Sequence, residues 1–372
     1  MNNSVELGNI IDISKGKKVE QIFPDKERNK SVVRFIQIDD LRNDTNIKFT
    51  NNNGGIQVNI NDLIIAWDGA NAGTVGHNLK GIIGSTLARL RIKNENFDSR
   101  YLAKFLQSKF LYLRKQCTGA TIPHISKSVL LKLKIPSPPL PEQKRIADLL
   151  DKADSIRQKR KESIALLDEF LKSVFIDMFG DPVRNEKGWE VKSFKEILKI
   201  ERNQVSPEKI KNFTNYIDLE SIEKESGKIL NIRKVNNGFL KSSKFEFSSD
   251  HILYGKLRPY LNKVVLPHIE GICSTDILPI LPKPKVANKF FISHVMRHPG
   301  FVNYATDRSA GANLPRVNPD IIYNFVCIAP PLTLQTQFAK IVRQTELTKS
   351  KMEESLREMD NQFNALIGRI FK

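Results

Sequence analysis

Two long stretches of the chain place apolar residues with the period of an amphipathic helix. One follows Pro138-Pro139-Leu140 and the other follows Pro330-Pro331-Leu332, and each runs for about 40 residues with no Gly or Pro until near its end. We therefore expect helices over 141–179 and 332–372. Their apolar stripes consist of Ile146, Leu149, Ile156, Leu167, Phe170 and Val174 in the first, and of Phe338, Ile341, Met352, Leu356, Met359, Phe363 and Leu366 in the second.

The length of these helices suggests what covers their apolar stripes. About 37 helical residues span roughly 55 Å at 1.5 Å per residue, which is too long for one small domain to bury. We therefore expect the two helices to pair with each other in a coiled-coil-like arrangement. The alternative is that each is an ordinary helix packed on its own domain.

The chain is also built twice. Gly119-Ala120-Thr121-Ile122-Pro123-His124-Ile125 matches Gly311-Ala312-Asn313-Leu314-Pro315-Arg316-Val317, 192 positions later, and the two Pro-rich helix openings have the same offset. Solenoid repeats are only about 20 to 50 residues long, so this is the duplication of a whole domain with its helix. We expect a molecule with a pseudo-two-fold axis.

The segments outside the helices are rich in predicted strands. Residues 32–36 and 62–67 have the composition of strands, as does 264–266 in the second half, while 101–109 is typical of a short helix. This pattern predicts an α+β fold used twice, in which 1–140 and 180–331 are the two mixed domains. The boundary after the first helix is Phe179-Gly180-Asp181-Pro182, a helix-stop signal.

Composition is compatible with two soluble domains, since 40% of residues are hydrophobic and 27% are charged. The sequence has no apolar run near 18 residues and no signal-peptide pattern, so we expect a cytoplasmic protein with no membrane partner. Cys117, Cys273 and Cys327 are widely separated and lack zinc-ligand spacing. We interpret them as reduced thiols.

Net charge is concentrated outside the helices. Of the formal charge of +18, residues 141–178 contribute 0 and residues 332–372 contribute +2, so the rest of the chain carries +16. Such a positive field indicates domains that approach phosphates. A generally basic cytosolic protein or a ribosome-associated one would have a similar balance.

Taken in order along the chain, these motifs resemble the DNA-sequence specificity (S) subunit of type I restriction-modification systems. The resemblance covers essentially the whole chain and rests on residues 138–147, on the repeated 119–125 and 311–317, and on Tyr-Gly-Lys-Leu-Arg-Pro-Tyr-Leu at 254–261. It implies two target-recognition domains, 1–140 and 180–331, each reading one half of an asymmetric bipartite site in double-stranded DNA. It also implies two antiparallel spacer helices, 141–179 and 332–372, that set the gap and dock two methyltransferase subunits, with restriction subunits joining the assembled complex.

Candidate DNA contacts are basic or amide residues in loops punctuated by Gly and Pro. Arg258 has an alternative role in an ion pair with an acidic neighbour, and any of the exposed lysines is equally explained as a solubilising charge. The candidates are Lys256, Arg258, Tyr260, Asn262, Lys263, Asn313 and Arg316 in the second half, and Lys17, Asn71, Thr74, Thr121 and His124 in the first.

Catalytic patterns are scarce. The nearest approach to an adenine methyltransferase motif, Asn318-Pro319-Asp320-Ile321, lacks the second Pro and the aromatic, and no phosphate-loop Gly-Lys-Ser/Thr occurs. We therefore expect no catalytic residue, no cofactor and no metal, and a chain that leaves the chemistry to its partners. Two alternatives stay open: the specificity subunit of a type IIB-like system, and a non-specific nucleic-acid-binding assembly protein.

Overall fold

The computed structural model describes residues 4–24, 32–51, 54–119 and 121–372. The chain forms two compact units, unit 1 with Met1–Arg160 and Ser355–Lys372, and unit 2 with Lys161–Glu354. The boundary between the units passes through both long helices and not along their ends, so each helix contributes to both units. Among the described helices, none is long and apolar enough to cross a bilayer.

In its described residues, unit 1 has three antiparallel or mixed sheets and three short α-helices before the first long helix. The sheets have the orders β1-β11, β2-β10-β7-β8 and β3-β5-β4-β9-β6. The elements are β1 (Ser4–Glu6), β2 (Ile11–Lys15), β3 (Ile22–Pro24), β4 (Val33–Ile36), β5 (Lys48–Thr50), β6 (Ile56–Val58), β7 (Leu63–Ala66), β8 (Val75–Gly76), β9 (Gly81–Ile83), β10 (Leu87–Ile92), α1 (Ser99–Ser108), α2 (Phe110–Lys115), α3 (Lys127–Leu131), β11 (Lys134–Pro136) and the long helix α4 (Leu140–Phe179).

Unit 2 repeats this arrangement. Its sheets have the orders β12-β22, β13-β21-β18-β19 and β14-β17-β20-β15-β16. The elements are β12 (Val191–Ser193), α5 (Phe194–Ile197), β13 (Leu198–Ile200), β14 (Gln204–Val205), β15 (Thr214–Ile217), β16 (Arg233–Val235), β17 (Lys244–Phe247), β18 (Ile252–Gly255), β19 (Val264–Val265), β20 (Gly271–Cys273), β21 (Ile277–Pro282), α6 (Lys289–Arg297), α7 (Pro299–Asp307), α8 (Pro319–Tyr323), β22 (Val326–Ile328) and the long helix α9 (Leu332–Ile370).

The two five-stranded sheets have the same arrangement of central strands and differ in the edge at which the fifth strand is added. In each, one pair of strands is parallel, β4 with β9 through Phe35↔Ile82 and β15 with β20 through Tyr216↔Ile272. The fifth strand joins opposite edges, because β3 pairs with β5 whereas β14 pairs with β17. The predicted α+β duplication is therefore confirmed, with a different open sheet edge in each copy.

The cores are formed by strands buried on both faces. Every residue of β7 and of β18 is buried. This burial explains why both strands are continuous apolar runs and do not alternate with polar residues. Around them, Tyr101 and Phe105 on α1 fill the core of unit 1, and Phe291 on α6 and Phe301 on α7 fill the core of unit 2.

Within unit 1 the two long helices run antiparallel. Arg157 of α4 donates to Asp360 of α9 at 2.6 Å and lies over the ring of Phe363, 4.2 Å from its centroid. Beyond the end of α9, Phe371 packs its ring against Tyr101 at 5.3 Å and Phe105 at 5.5 Å. The carboxyl-terminal end of α9 therefore completes the core of unit 1.

Within unit 2 the two long helices are also antiparallel. Lys349 of α9 donates to Asp168 of α4 at 2.5 Å. Phe338 of α9 contacts Phe175 and Phe179 of α4, with ring centroids 5.5 and 5.4 Å apart. The predicted pairing of the two stripes is observed at both places, through ion pairs as well as apolar contacts.

Three residues that we expected in the helix seam are largely exposed. Leu149, Ile156 and Phe170 of α4 are 45%, 49% and 48% exposed. The apolar stripe on α4 is wider than the contact with one helix, so its flanking positions stay partly open to solvent. The remaining predicted seam residues are half-buried or, at Phe338, fully buried.

A buried glutamine joins each domain to its long helix. In unit 1, Gln143 is fully buried; its Oε1 accepts from the backbone N–H of Asp98, the residue that caps α1, at 3.0 Å. Its Nε2 donates to the carbonyls of Asn96 and Pro138, both at 2.9 Å. One side chain thus fixes the start of α1, the loop before it and the Pro-rich entry to α4.

Gln335 repeats these bonds in unit 2. Its Oε1 accepts from the N–H of Asn288, the residue that caps α6, at 2.9 Å, and its Nε2 donates to Val286 at 3.3 Å and Pro330 at 2.8 Å. The glutamine shared by the two helix openings therefore connects each domain to the start of its long helix.

We expect Gln143→Leu or Gln335→Leu to lower the free energy of unfolding of its own unit by about 2–4 kcal/mol, because each leaves buried backbone groups without partners. Trp67 and Trp189 lie one in each unit, so denaturant unfolding of single-tryptophan versions assigns the loss to a unit. Gln337→Leu, at an exposed position of α9, is the matched control and should change stability by less than about 0.5 kcal/mol. Unaltered unfolding of both Gln143→Leu and Gln335→Leu would contradict this structural role of the glutamines.

A histidine in unit 2 makes stability depend on pH. His294 packs between the rings of Phe175 and Phe338, and its Nδ1 donates to the carbonyl of Phe290 at 2.8 Å. Burial, with the nearby charge of Arg297, lowers the pKa of His294 to about 3, from an ordinary value near 6.5. The unfolded chain therefore binds a proton that the folded chain does not, and stability is lost as pH falls below about 6.5.

We expect His294→Phe to remove this contribution, up to about 1.4 kcal/mol per pH unit, from the slope of unfolding free energy between pH 6 and pH 4. The measurement is chemical unfolding of both proteins at a series of pH values, with the exposed His268→Phe as control. Parallel slopes for wild type and His294→Phe would show that His294 takes up its proton in the folded state.

Candidate nucleic-acid interface

A hydrogen-bonded turn locks the loop that follows β7 in unit 1. The N–H of Thr118 donates to the carbonyl of His124 at 2.9 Å, and the N–H of His124 donates back to Thr118 at 2.7 Å. The N–H of Gly69, just beyond β7, donates to the carbonyl of Pro123 at 2.9 Å. The repeated motif therefore pins the Asp68 loop to the domain; its Ala120 lies outside the described residues.

Unit 2 repeats the turn bond for bond. Ala310 and Arg316 exchange backbone hydrogen bonds of 3.0 and 2.9 Å, and the N–H of Arg258 donates to the carbonyl of Pro315 at 2.7 Å. We call the loop after β7 or β18, together with its turn, the loop frame of each unit (residues 67–74 with 118–125, and 255–263 with 310–317).

Each turn requires its glycine. Gly119 and Gly311 have φ of 94° and 108°, in the left-handed region. A Cβ on Gly119 would lie 2.4 Å from the carbonyl oxygen of Ile122, and one on Gly311 would lie 3.0 Å from that of Leu314. The hydrogen bonds that close the turn and hold the loop are thus the same in both units, while the side chains at the equivalent positions His124 and Arg316 differ.

In unit 1 the loop frame carries a three-membered charge cluster. Asp68 bonds Lys15 at 2.7 Å and His124 at 2.6 Å. Burial alone would raise the pKa of Asp68, but the hydrogen bonds from Lys15 and His124 lower it below its ordinary value. One carboxylate therefore orients two exposed cationic or dipolar groups.

In unit 2 the corresponding cluster is centred on Asp276. Arg316 donates through Nε to Asp276 at 3.0 Å, and the ammonium of Lys256 lies 4.0 Å from the same carboxylate. The hydrogen bond with Asp276 raises the pKa of the exposed Arg316 further above its ordinary value. His124 and Arg316, at equivalent positions of the repeat, are both held by a carboxylate but present different donors.

Comparisons with known proteins relate this chain to DNA specificity subunits. Residues 2–166 match the family described as the type I restriction modification DNA specificity domain. The MjaVIII type I specificity subunit of Methanocaldococcus jannaschii is 33% identical over 210 residues, covering 53% of this chain and 49% of that protein. The EcoDI type I specificity subunit of Escherichia coli is 22% identical over 312 residues, covering 74% of this chain and 69% of that protein.

Over residues 2–166 the chain is therefore similar to the type I DNA specificity family. Its match spans about half the length of the M. jannaschii relative. The fold agrees over the whole chain with the S subunit of M. genitalium, at a TM-score of 0.56 and 15% identity, covering 96% of that chain. It also agrees with a chain from a structure of type I R-M complex assembly and conformational transition, at a TM-score of 0.58 and 16% identity over 97% of that chain.

Several of the predicted DNA contacts are engaged inside the protein. The ammonium of Lys263 donates to the carbonyl of Leu219 at 2.6 Å, and burial lowers its pKa. The amide of Asn262 donates to the carbonyl of Arg297 at 3.0 Å. These two side chains point inward because the chain turns at Asn262 with a φ of 49°. The structure gives them a role in packing the loop.

The other candidates fall into two groups. Asn71 accepts from Arg42 at 2.7 Å, and Thr74 is half-buried beside it. The candidates that stay exposed are Arg258, Tyr260 and Asn313 in unit 2, and Lys17 and Thr121 in unit 1. Arg258 is in none of the ion pairs found among the described residues, so the alternative of an acidic partner is not observed for it. Its role as a DNA contact stays a prediction.

The structure brings together a second basic surface that the sequence reasoning did not single out. We call it the unit-2 tip: residues 206–213 before β15, with 234–241 at the end of β16 and beyond. Lys209, Lys211, Lys234 and Lys241 are all exposed there. Within the described part of the chain none of the four has an ion-pair partner. The signal in the sequence was the spacing of these lysines near Phe213 and Phe239 in two Asn-containing loops.

The unit-2 tip and the loop frame of unit 2 lie at opposite ends of β15. Thr214 adjoins the tip, while the carbonyl of Ile217 accepts from Ser274, two residues before Asp276. The four residues of β15 span roughly 10 Å at about 3.3 Å each. Since the major groove of B-DNA is about 12 Å wide, both surfaces are close enough to address one stretch of duplex.

No metal site is evident in the described ranges, where His, Cys, Asp and Glu nowhere gather in groups of three or more. Cys273 and Cys327 are buried and Cys117 is half-buried, and all three are free thiols. The chemistry that this surface offers is hydrogen bonding and charge.

We expect the double variant Lys211→Ala/Lys234→Ala to reduce the slope of log affinity for DNA against log salt by about 1–2, since each phosphate contact contributes about 0.9. The loss should be similar on all DNA sequences. Lys199→Ala, a lysine of the same unit that is already paired with Glu201, is the control and should leave the slope unchanged. An unaltered slope in the double variant would remove the tip from the interface.

Proposed function

We propose that this chain is the DNA-sequence specificity subunit of a type I restriction-modification complex. Each sheet-rich domain reads one half of an asymmetric bipartite site in double-stranded DNA. The paired helices set the gap between the half-sites and dock two methyltransferase subunits. Restriction subunits join through the assembled complex, and the complex works in the cytoplasm.

The observation that carries this proposal is the duplicated loop frame with different side chains. The backbone bonds of residues 118–124 recur at 310–316, while His124 is replaced by Arg316 and Asp68 by Leu257. Bases are distinguished by the donors and acceptors that meet them in the groove. Two equal scaffolds with unequal donors therefore favour two different half-sites, in contrast to the palindrome read by a homodimer.

The exposed apolar residues of α4 support the docking of partner subunits. Leu149, Ile156, Leu166, Phe170 and Ile176 are each 44–66% exposed on one helix. Isolated exposed apolar residues are ordinary, but five on a single helix leave apolar surface that a protein partner can cover. Such surface fits methyltransferase subunits that bind along the spacer helices.

The absence of a catalytic role is part of the proposal. The described titratable groups with displaced pKa values are explained by structural contacts, as with Asp62, whose pKa is lowered by Arg91 against the opposing effect of burial. Methyl transfer and cleavage therefore fall to the partner subunits. This chain supplies the recognition of the DNA sequence and the spacing between the two half-sites.

The test is single-molecule sequencing of DNA modification in a host that expresses the chain with its cognate methyltransferase subunit. We expect methylation at one bipartite, asymmetric motif that disappears when the gene for this chain is deleted. Deletion of two helical turns from both α4 and α9 should abolish methylation or shorten the gap of the motif, whereas the matched Lys199→Ala chain keeps it. Methylation that is unchanged by deletion of the chain, with an active partner present, would reject the proposal.

A further inference from the structure

We propose that Phe213 and Phe239 form an aromatic wedge that inserts at a base-pair step of duplex DNA, in the half-site read by unit 2. The inference deepens the proposed function and rests on it. The wedge would act beside the loop frame, at the other end of β15.

Both rings stand in solvent on adjacent loops of the unit-2 tip. Phe213 is 73% exposed and Phe239 is 66% exposed, among the highest values for large apolar residues in the chain. Apolar side chains that insert between base pairs, Phe among them, kink the duplex by partial unstacking. An exposed pair of rings on a basic surface is the arrangement that such insertion needs.

The two loops are fastened to each other by reciprocal bonds. The N–H of Phe213 donates to the side-chain oxygen of Asn236 at 3.0 Å, and the N–H of Asn237 donates to that of Asn212 at 3.0 Å. The N–H of Phe239 closes a turn on the carbonyl of Asn236 at 3.2 Å. The rings are therefore presented from a fixed base, which lowers the ordering cost of binding.

Phe213 is held in a conformation that a bulky residue avoids. Its φ is 60°, in the left-handed region, where a β-carbon meets the following carbonyl. Thr214 supports the turn by donating from its hydroxyl to the carbonyl of Lys211 at 2.6 Å. Backbone strain of this kind persists where the surroundings enforce it and is concentrated at functional sites.

The charge around the rings matches DNA as the occupant. Lys209 and Lys211 precede Phe213, and Lys234 and Lys241 lie on either side of Phe239 in the sequence; none of them has an ion-pair partner among the described residues. The acidic residue in these loops, Glu208, is bonded to Ser206. Lysine is depleted at the centre of protein–protein interfaces. Four lysines this close to the two rings therefore favour DNA over a protein as the partner.

The wedge belongs to one domain. The loops of unit 1 that correspond in sequence order, 25–31 and 51–55, contain no aromatic residue. Residues 25–31 and 52–53 lie outside the described structure. Because pyrimidine–purine steps unstack most readily, we infer that the half-site of unit 2, and not that of unit 1, prefers such a step at the wedge.

The test uses the full chain assembled with its methyltransferase partner, bound to duplexes that carry 2-aminopurine at successive positions of either half-site. Unstacking raises the fluorescence of this base. We expect enhanced fluorescence at one step of the unit-2 half-site, lost in Phe213→Ala/Phe239→Ala together with at least tenfold in specific affinity. The salt slope should stay as in wild type, because the lysines remain.

Two further variants separate the wedge from other roles of these residues. Phe213→Gly removes both ring and strain, so it should raise the midpoint of unfolding while it weakens specific binding. Leu230→Ala, at a 57% exposed residue beyond the other end of β16, is the control and should change neither signal. A double alanine variant that keeps wild-type affinity and fluorescence overturns the wedge and leaves the proposed function standing.

Two other outcomes are also decisive. If the double variant fails to assemble with the methyltransferase subunit, the rings dock protein and the wedge is rejected. If the wild-type complex binds all sequences equally, the proposed function itself fails, and that failure is visible before any variant is compared.

Discussion

The connection between each domain and its long helix depends on a single buried amide. Gln143 and Gln335 each satisfy one backbone N–H and two carbonyls that three different segments bring to the same point. A glutamine is suited to this position because it is neutral and carries both a donor and an acceptor on one planar group. A carboxylate would bring a buried charge, and an apolar residue would leave the three groups unsatisfied. The angle at which each helix leaves its domain is fixed by these bonds.

The distribution of charge on unit 2 separates two kinds of cation. Arg316 and Lys256 share Asp276, so their positions are determined in the free protein and their charge is partly neutralised. The lysines of the tip have no such partner among the described residues, and their field acts at longer range. Fixed donors suit the discrimination of bases, and free cations suit the attraction of phosphates. Of the two surfaces at the ends of β15, the loop frame therefore suits base discrimination and the tip suits phosphate attraction.

The sequence was sufficient for the features that depend on period and repetition. The long helices, the duplication and the α+β class followed from apolar spacing and from motifs 192 positions apart, and each is observed. The division into 1–140, 141–179, 180–331 and 332–372 stays a prediction, because the compact units cut across both helices. Side-chain direction was not accessible: Lys263 and Asn262 turn inward through a positive φ at Asn262, and Leu149 is 45% exposed because an apolar stripe does not reveal which of its edges a partner covers. The tip was missed because its two loops, 206–213 and 234–241, are separated in sequence and are brought together by tertiary contacts, such as the hydrogen bonds of Asn236 and Asn237 with the first loop.

The position of Phe371 in the core of unit 1 has a consequence for the order of folding. Its ring rests on Tyr101 and Phe105, and Lys109 donates to its carbonyl across 262 positions of chain. Unit 2 is one continuous segment, Lys161–Glu354, whose contacts are all available once that segment has left the ribosome. The contacts of Phe371 with unit 1 can form only after unit 2 has been synthesised, although almost all of unit 1 is made first. These contacts of high sequence separation are therefore the last of the unit 1 core to become available during translation.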